Sequence, residues 1–321
     1  MPSPQPAAAP AAPAAPLIAK GTSSLPGTET SRRLLAAAEH TRPLTLWGSS
    51  SMASEGGDSA TPVAVRIHEH LALAAAPAVV HGYGVGATRS AHTLLMRGLD
   101  TPMLLPVGEP AAETGAQEVE LDSGLAPHGP IRIPGDVDGV PGLLDGSSGS
   151  WIFRPEDASS AGVRGTFRSA LARVAEGSRQ VLWMGKNNIR DVDAVLEDTQ
   201  RMWDATAEPA EDTLVLGQWP TPHDAVGSAT AEAVAAVNQE QQRRYGAHFL
   251  DLAGLFTTEE GLSCPPLAPL RLLEQASTQD ALAQQIAPSS LRAPDDIHLN
   301  GWGNLAVNWA IVQRMRELRW L

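Results

Sequence analysis

The chain reads as an α/β protein, a parallel sheet covered by helices on both faces and interrupted by a small β-rich insertion. Two observations predict this. From about residue 43, short apolar runs alternate with stretches of helical period, the pattern of strand–helix–strand units. Between Leu99 and about Gly177 that alternation stops, and short alternating pieces separated by turns replace it. With 321 residues, 43% of them hydrophobic, there is material for a sizeable core.

In chain order, residues 1–30 are a Pro/Ala-rich arm, beginning MPSPQPAAAPAAPAAP. Repeated prolines remove backbone donors and block a helix, so a semi-extended linker is expected. It lacks the basic start and apolar stretch of a secretory leader. Residues 31–98 and 178–321 form one discontinuous domain around an insertion at 99–177. The expected sheet strands are Leu44–Trp47, Ala78–His81, Val181–Met184, Thr213–Leu216 and His248–Leu252, each short, apolar and followed by Gly or polar residues. Thr61-Pro62 has the form of an N-cap and first helical residue, with Val63, Ile67 and Leu71 sharing one face. A helix over Ser90–Arg97 stops at Gly98, and one over Ala229–Tyr245 stops at Gly246. Val192, Val195, Leu196, Thr199, Met202 and Trp203 keep a 3-4 spacing, and Leu305, Trp309, Val312 and Met315 mark a final helix. In the insertion, Glu118–Leu121, Ile131–Ile133, Trp151–Phe153 and Val163–Phe167 read as strands, with turns at Pro134-Gly135-Asp136 and Gly146–Gly149. Residues 253–294 hold apolar stretches such as Leu267–Leu273 and suggest a lid over the site.

Charge excludes some partners. The 23 Lys+Arg against 36 Asp+Glu give a net charge of −13, which argues against nucleic acid. No run reaches the ~18 uncharged apolar residues of a membrane span. The single cysteine, Cys264, allows no internal disulfide. The sequence does not specify an oligomeric state.

Open parallel sheets bind ligands beyond the carboxyl ends of their strands, so the segments that follow the strands matter most. After the first comes Trp47-Gly48-Ser49-Ser50-Ser51-Met52, where a serine in a sharp turn can present its hydroxyl; a plain polar loop reads the same way. After the second comes Gly82-Tyr83-Gly84-Val85-Gly86-Ala87-Thr88, whose glycines allow a backbone N–H to face a ligand, though Ala87 breaks a GxGxxG phosphate loop. After the third comes Gly185-Lys186-Asn187-Asn188. Asn188 suits the cap of the next helix, with Asp191 as a box-like partner, whereas Asn187 has no such local use. Near the C-terminus, Asp295 and His298 sit three apart, so one turn can join carboxylate and imidazole; a two-ligand metal pair or a surface histidine are the competing readings. A nucleophile, two oxyanion donors and an Asp–His pair together make up the equipment for acyl transfer.

In these segments the chain resembles the SGNH/GDSL hydrolases. Gly48-Ser49-Ser50 aligns with the family's GDS, Gly84–Thr88 with its second block, Gly185-Lys186-Asn187-Asn188 with GxND and Asp295–His298 with DxxH. Ser49 and Asn188 replace the two family aspartates, neither of which is nucleophile or base. The resemblance spans roughly 43–98 and 178–321. It implies a three-layer α/β/α sandwich with a five-stranded, flavodoxin-like parallel sheet. It also implies a serine esterase with Ser50 as nucleophile (Ser51 competing), His298 as base, Asp295 as its orienting acid, and an oxyanion hole from Ser50, Gly86 and Asn187, with no cofactor or metal. Relatives with a β-rich insertion between the second and third blocks implicate small acyl esters, chiefly acetyl, on carbohydrates or polysaccharides, and secreted, cell-surface or virion-associated settings. The alternatives are a carbohydrate- or surface-binding module on a degenerate hydrolase fold, and a lipase or thioesterase for longer acyl chains. Trp47, Trp183, Trp219 and Trp302 adjoin the motifs, where core or rim packing is the commoner role of an indole and sugar stacking the functional one; Trp47, Trp219 and Trp302, with His223, which also reads as a turn residue, are the candidate substrate contacts. His68 and His70 face different ways on a helix, Cys264 has no histidine partner, and Ser147 and Ser148 lack a G-x-S-x-G frame.

Overall fold

The computed structural model describes residues 41–321 except Ala161 and Ala225; the predicted arm over 1–30 lies outside the described residues. Strands β1 (Leu44–Gly48) and β2 (Val80–Gly84) open the sheet. Six strands follow: β3 (Met103–Pro106), β4 (Gln117–Leu121), β5 (Arg132–Val137), β6 (Val140–Asp145), β7 (Trp151–Pro155) and β8 (Gly165–Ser169). The sheet resumes with β9 (Arg179–Trp183), β10 (Thr213–Leu216) and β11 (Phe249–Leu250). The main helices are α1 (Ile67–Ala74), α2 (Ser90–Arg97), α3 (Val192–Asp204), α4 (Ala229–Tyr245) and α5 (Gly301–Glu317). The five sheet strands are all parallel in the order β11-β10-β9-β1-β2, and β3 to β8 close into an antiparallel barrel. The protein is therefore an α/β sandwich with an inserted β-rich unit.

Side-chain alternation explains why the sheet is covered twice. All five residues of β1 are buried, yet they divide by parity. Leu44 and Leu46 join Val181, Leu214, Ile67, Leu71, Val307 and Ile311 in one core. Trp47 joins Leu182, Val215, Leu94 and Leu95 in the other, which runs on into the barrel interior through Leu104, Phe153 and Phe167. The barrel strands instead alternate buried and exposed, as in β4, where Gln117, Val119 and Leu121 are buried. Residues 253–294 do not stand apart as a lid: Leu255, Phe256, Leu262, Leu267 and Leu272 belong to the first core.

Several elements match their sequence signals. The helix ending at Gly98 takes the left-handed turn there (φ 77°), and Thr213–Leu216 is a strand over that span. Three expectations need correction. Thr61-Pro62 does not start a helix; α1 begins at Ile67, Val63 is exposed, and Ser54 Oγ accepts from the Ile67 N–H at 2.8 Å. The cap thus comes from thirteen residues upstream, not from the neighbouring threonine. Pro134-Gly135-Asp136 is not a turn but the middle of β5. A Cβ at Gly135 would lie 2.3 Å from Arg168 O and 2.7 Å from the Phe167 ring, so the glycine lets β5 lie tight over that ring. Strands β3 and β6, which contain Pro106 and Pro141, were not expected.

The insertion leaves the sheet domain after α2 and returns through a short helix, Ala172–Ala175. Its two ends meet: a Cβ at Gly98 would lie 2.9 Å from Ala172 Cβ, and Ser169 Oγ donates to Met96 O at 2.6 Å.

Candidate active site

The strand order reverses between β1 and β9, which is where an open parallel sheet leaves a crevice at its carboxyl edge. Ser49 and Ser50 follow β1, Val85 and Gly86 follow β2, and Gly185 to Asn188 follow β9, so three of the sequence segments lie side by side on three neighbouring strands. Close backbone approach holds them there. A Cβ at Gly48 would fall 2.2 Å from Trp183 O, and one at Gly84 would fall 2.3 Å from Ala53 N, so any larger residue would push the β1 and β2 turns off their neighbours. Val85 N–H donates to Gly48 O at 3.1 Å and carries the ladder one step past β2.

The Asp295–His298 segment is a tight local turn. Ala293 N–H donates to His298 O at 2.8 Å, and Arg292 pairs with Leu299 across an isolated bridge. Asn300 locks its end: its Oδ1 accepts from the Trp302 and Gly303 N–H groups as the N-cap of α5, and its Nδ2 donates to Ser290 O and Arg292 O. Within the turn, Asp295 Oδ1 accepts from the Ile297 and His298 N–H groups at 2.9 and 3.0 Å. Its Oδ2 lies 2.7 Å from His298 Nδ1. A carboxylate only accepts, so Nδ1 is the donor in this pair, and Nε2 is the ring nitrogen left free of Asp295. Desolvation raises the Asp295 pKa, but the hydrogen bonds from the His298 ring and from the two backbone N–H groups outweigh it and hold the carboxyl below its usual range.

This turn adjoins the serine turn. A Cβ at Gly56 would come within 2.9 Å of His298 Cβ and 2.8 Å of Ala293 Cβ. Ser50 is buried, and its Oγ makes no hydrogen bond among the described residues; its carbonyl accepts from the Glu55 N–H at 3.0 Å. His298 Nε2 instead faces Glu55 Oε2 at 3.6 Å. Glu55 was not singled out in the sequence. Its sign there was only its place five residues after Ser50 in a turn-rich segment.

The turn after β9 is braced from two sides. Asn187 is exposed, and its Nδ2 donates to Thr88 O at 2.9 Å, which leaves the second N–H of the amide free of that bond. Asn188 does not cap α3 with Asp191 as expected. Its Oδ1 accepts from Ser90 N–H and its Nδ2 donates to Ser90 Oγ, so it caps α2 from across the sheet. Ser90 Oγ in turn donates to Asp198 Oδ2 at 2.5 Å. Lys186 reaches the other way, to buried Asp224 at 2.5 Å, in the loop after β10. Burial pushes the Lys186 ammonium pKa down, against the pull of Asp224.

The barrel also reaches the site. His128 Nδ1 lies 2.7 Å from Ala87 O, and a Cβ at Gly129 would fall 2.0 Å from Gly86 O, so the loop between β4 and β5 is seated on the turn that carries Gly86.

The candidate substrate contacts divide. Trp47 is wholly buried and stacks on Tyr83, and Trp219 is buried edge-on against Phe256, so neither indole offers a face to a sugar. Trp183 is likewise in the core. His223 is exposed in the loop after β10, and Trp302 is half-buried beside Leu270, Leu272 and Ser290. Cys264 is buried, and among the described residues no group of three or more His, Cys, Asp or Glu could hold a metal ion.

No protein-family model and no curated protein sequence matches the chain. One similar solved structure, described as a peptidoglycan O-acetylesterase in action, is 10% identical with a TM-score of 0.34, over 90% of this chain and 95% of that one. A likeness at that level carries no inference about activity.

Proposed function

We propose that the protein is a serine esterase of the SGNH type, acting on small acyl esters, chiefly acetyl groups on a carbohydrate. The observation that carries this reading is the Asp295–His298 pair at 2.7 Å, whose other ring nitrogen, Nε2, lies on the side of the serine turn, 3.6 Å from Glu55 Oε2. His298 Nε2 takes the proton of Ser50 Oγ as that oxygen attacks the ester carbonyl. Asp295 fixes the tautomer and stabilises the imidazolium. The N–H groups of Ser50 and Gly86 and the free N–H of Asn187 meet the oxyanion. The imidazolium then protonates the leaving alcohol, and water activated by the same nitrogen releases the acyl group. The Ser50–His298 hydrogen bond forms when substrate enters, as catalytic hydrogen bonds often tighten only in the bound complex.

The test is hydrolysis of p-nitrophenyl acetate by the wild type and by Ser50→Ala, with circular dichroism on both. Loss of turnover in a folded Ser50→Ala variant, by about 10⁵–10⁶-fold, is expected. Equal rates would remove Ser50 as nucleophile and direct the same test to Ser51.

A further inference from the structure

Glu55 is a charged group that touches the proposed site without a part in its chemistry. Its Oε2 is 3.6 Å from His298 Nε2. On the other side, the three atoms nearest to an ideal Cβ built on Gly86 are Glu55 carboxyl atoms, Oε1 at 2.1 Å, Cδ at 3.0 Å and Oε2 at 3.2 Å. The carboxylate therefore bridges from the base to the oxyanion glycine. Among the described residues no Arg or Lys pairs with it, and about half of its side chain is exposed (47%). The carboxylate thus stands beside the base with half of its side chain in solvent.

We infer that Glu55 sets substrate specificity, admitting esters whose alcohol portion is neutral or cationic and rich in hydrogen-bond donors, and rejecting anionic ones; this rests on the esterase reading above. The side of the ester it meets follows from the chemistry. His298 Nε2 delivers its proton to the leaving alcohol oxygen, so a carboxylate beside Nε2 lies against the alcohol portion of the ester. A hydroxyl or ammonium there gives the carboxylate a donor to replace its lost water, as it turns from the Gly86 surface to let the carbonyl in. A carboxylate on the substrate would leave two like charges a few ångströms apart.

Three aryl acetates test this: methyl 4-acetoxybenzoate (neutral), 4-acetoxybenzoate (anionic) and 4-acetoxy-N,N,N-trimethylanilinium (cationic). Their kcat/KM values are measured for the wild type, Glu55→Gln and Ser50→Ala. Taking each ratio between enzymes on one substrate cancels the leaving-group differences. The neutral-to-anion preference should fall about five- to tenfold on Glu55→Gln, the cation-to-neutral preference should fall in the same sense, and both changes should shrink at high salt. Preferences equal in wild type and Glu55→Gln, alongside Ser50-dependent turnover, would overturn the Glu55 role and leave the esterase intact. Turnover of the neutral ester that is absent, or indifferent to Ser50→Ala, would overturn both.

Discussion

The sheet and the barrel are built from the same amino acids by opposite rules. The central strands β1, β9 and β10 are buried along nearly their whole length, so their side chains are taken up by packing and the proposed chemistry falls to the turns at their carboxyl ends. Barrel strands face inward and outward by turns, and their interior is filled by Leu104, Phe153 and Phe167. The barrel's most buried carboxylate, Asp145, illustrates its structural character. Desolvation raises its pKa, but bonds from Ser147 and the nearby Arg132 and Arg154 bring it below the usual range, and all its partners are on the barrel. The candidate serine, glycine and asparagine follow strand ends, and the loop between β4 and β5 reaches the Gly86 turn.

The sharpest division of labour should appear with Asp295→Asn. It keeps the turn but favours the wrong imidazole tautomer, so kcat should drop by about 10⁴-fold with the fold retained by circular dichroism. Phe167→Ala should do the reverse, costing about 3–5 kcal/mol in urea unfolding; catalytic loss out of proportion to unfolding would break the separation of the two regions. Asn187→Ala should reduce kcat by about 10²–10³-fold, equivalent to ~2.7–4 kcal/mol, with KM little changed. His128→Ala removes the barrel's bond to Ala87 O and should cost about 1 kcal/mol in urea unfolding, the expected worth of one hydrogen bond, with a drop in kcat of a few fold if that bond positions the Gly86 turn. No change there would confine the barrel to packing.

The smallest effect is on pH. The folded state holds the Asp295 carboxyl below its ordinary value, so its stabilisation is full above the unfolded pKa of about 3.9 and is lost as pH falls through the lowered folded value. The part of the urea-unfolding difference between wild type and Asp295→Asn that comes from this carboxyl should be at its full size at about pH 5. The gap should narrow below that.

What the sequence disclosed depended on chain distance. Gly98 and Gly246 end their helices by local backbone geometry, and both ends were legible. Asp295 and His298 need only a three-residue turn to meet. Thr61-Pro62 misled because the group that satisfies Ile67 N–H is Ser54, folded back from the preceding turn. Pro134–Asp136 misled because the demand for Gly135 comes from the Phe167 ring of another strand. Asn188 looked like a cap for its own helix and became one for α2, a choice made by the sheet order. Glu55 was invisible for the same reason, since its partners, His298 and Gly86, belong to other segments. Trp47 and Trp219 carried a stacking signal that burial cancelled.

The meeting of Gly98 with Ala172 bears on how the chain finds its structure. The pairing of β1 with β9 has to wait until a long stretch of intervening chain has been brought together, and parallel pairing of that kind is slow. Every barrel strand lies inside that stretch, and its hairpin β5–β6 joins neighbours. A barrel that closes first brings its own two ends side by side and turns the long loop into a short staple. Folding in that order would deliver β9 already beside the strand it must join.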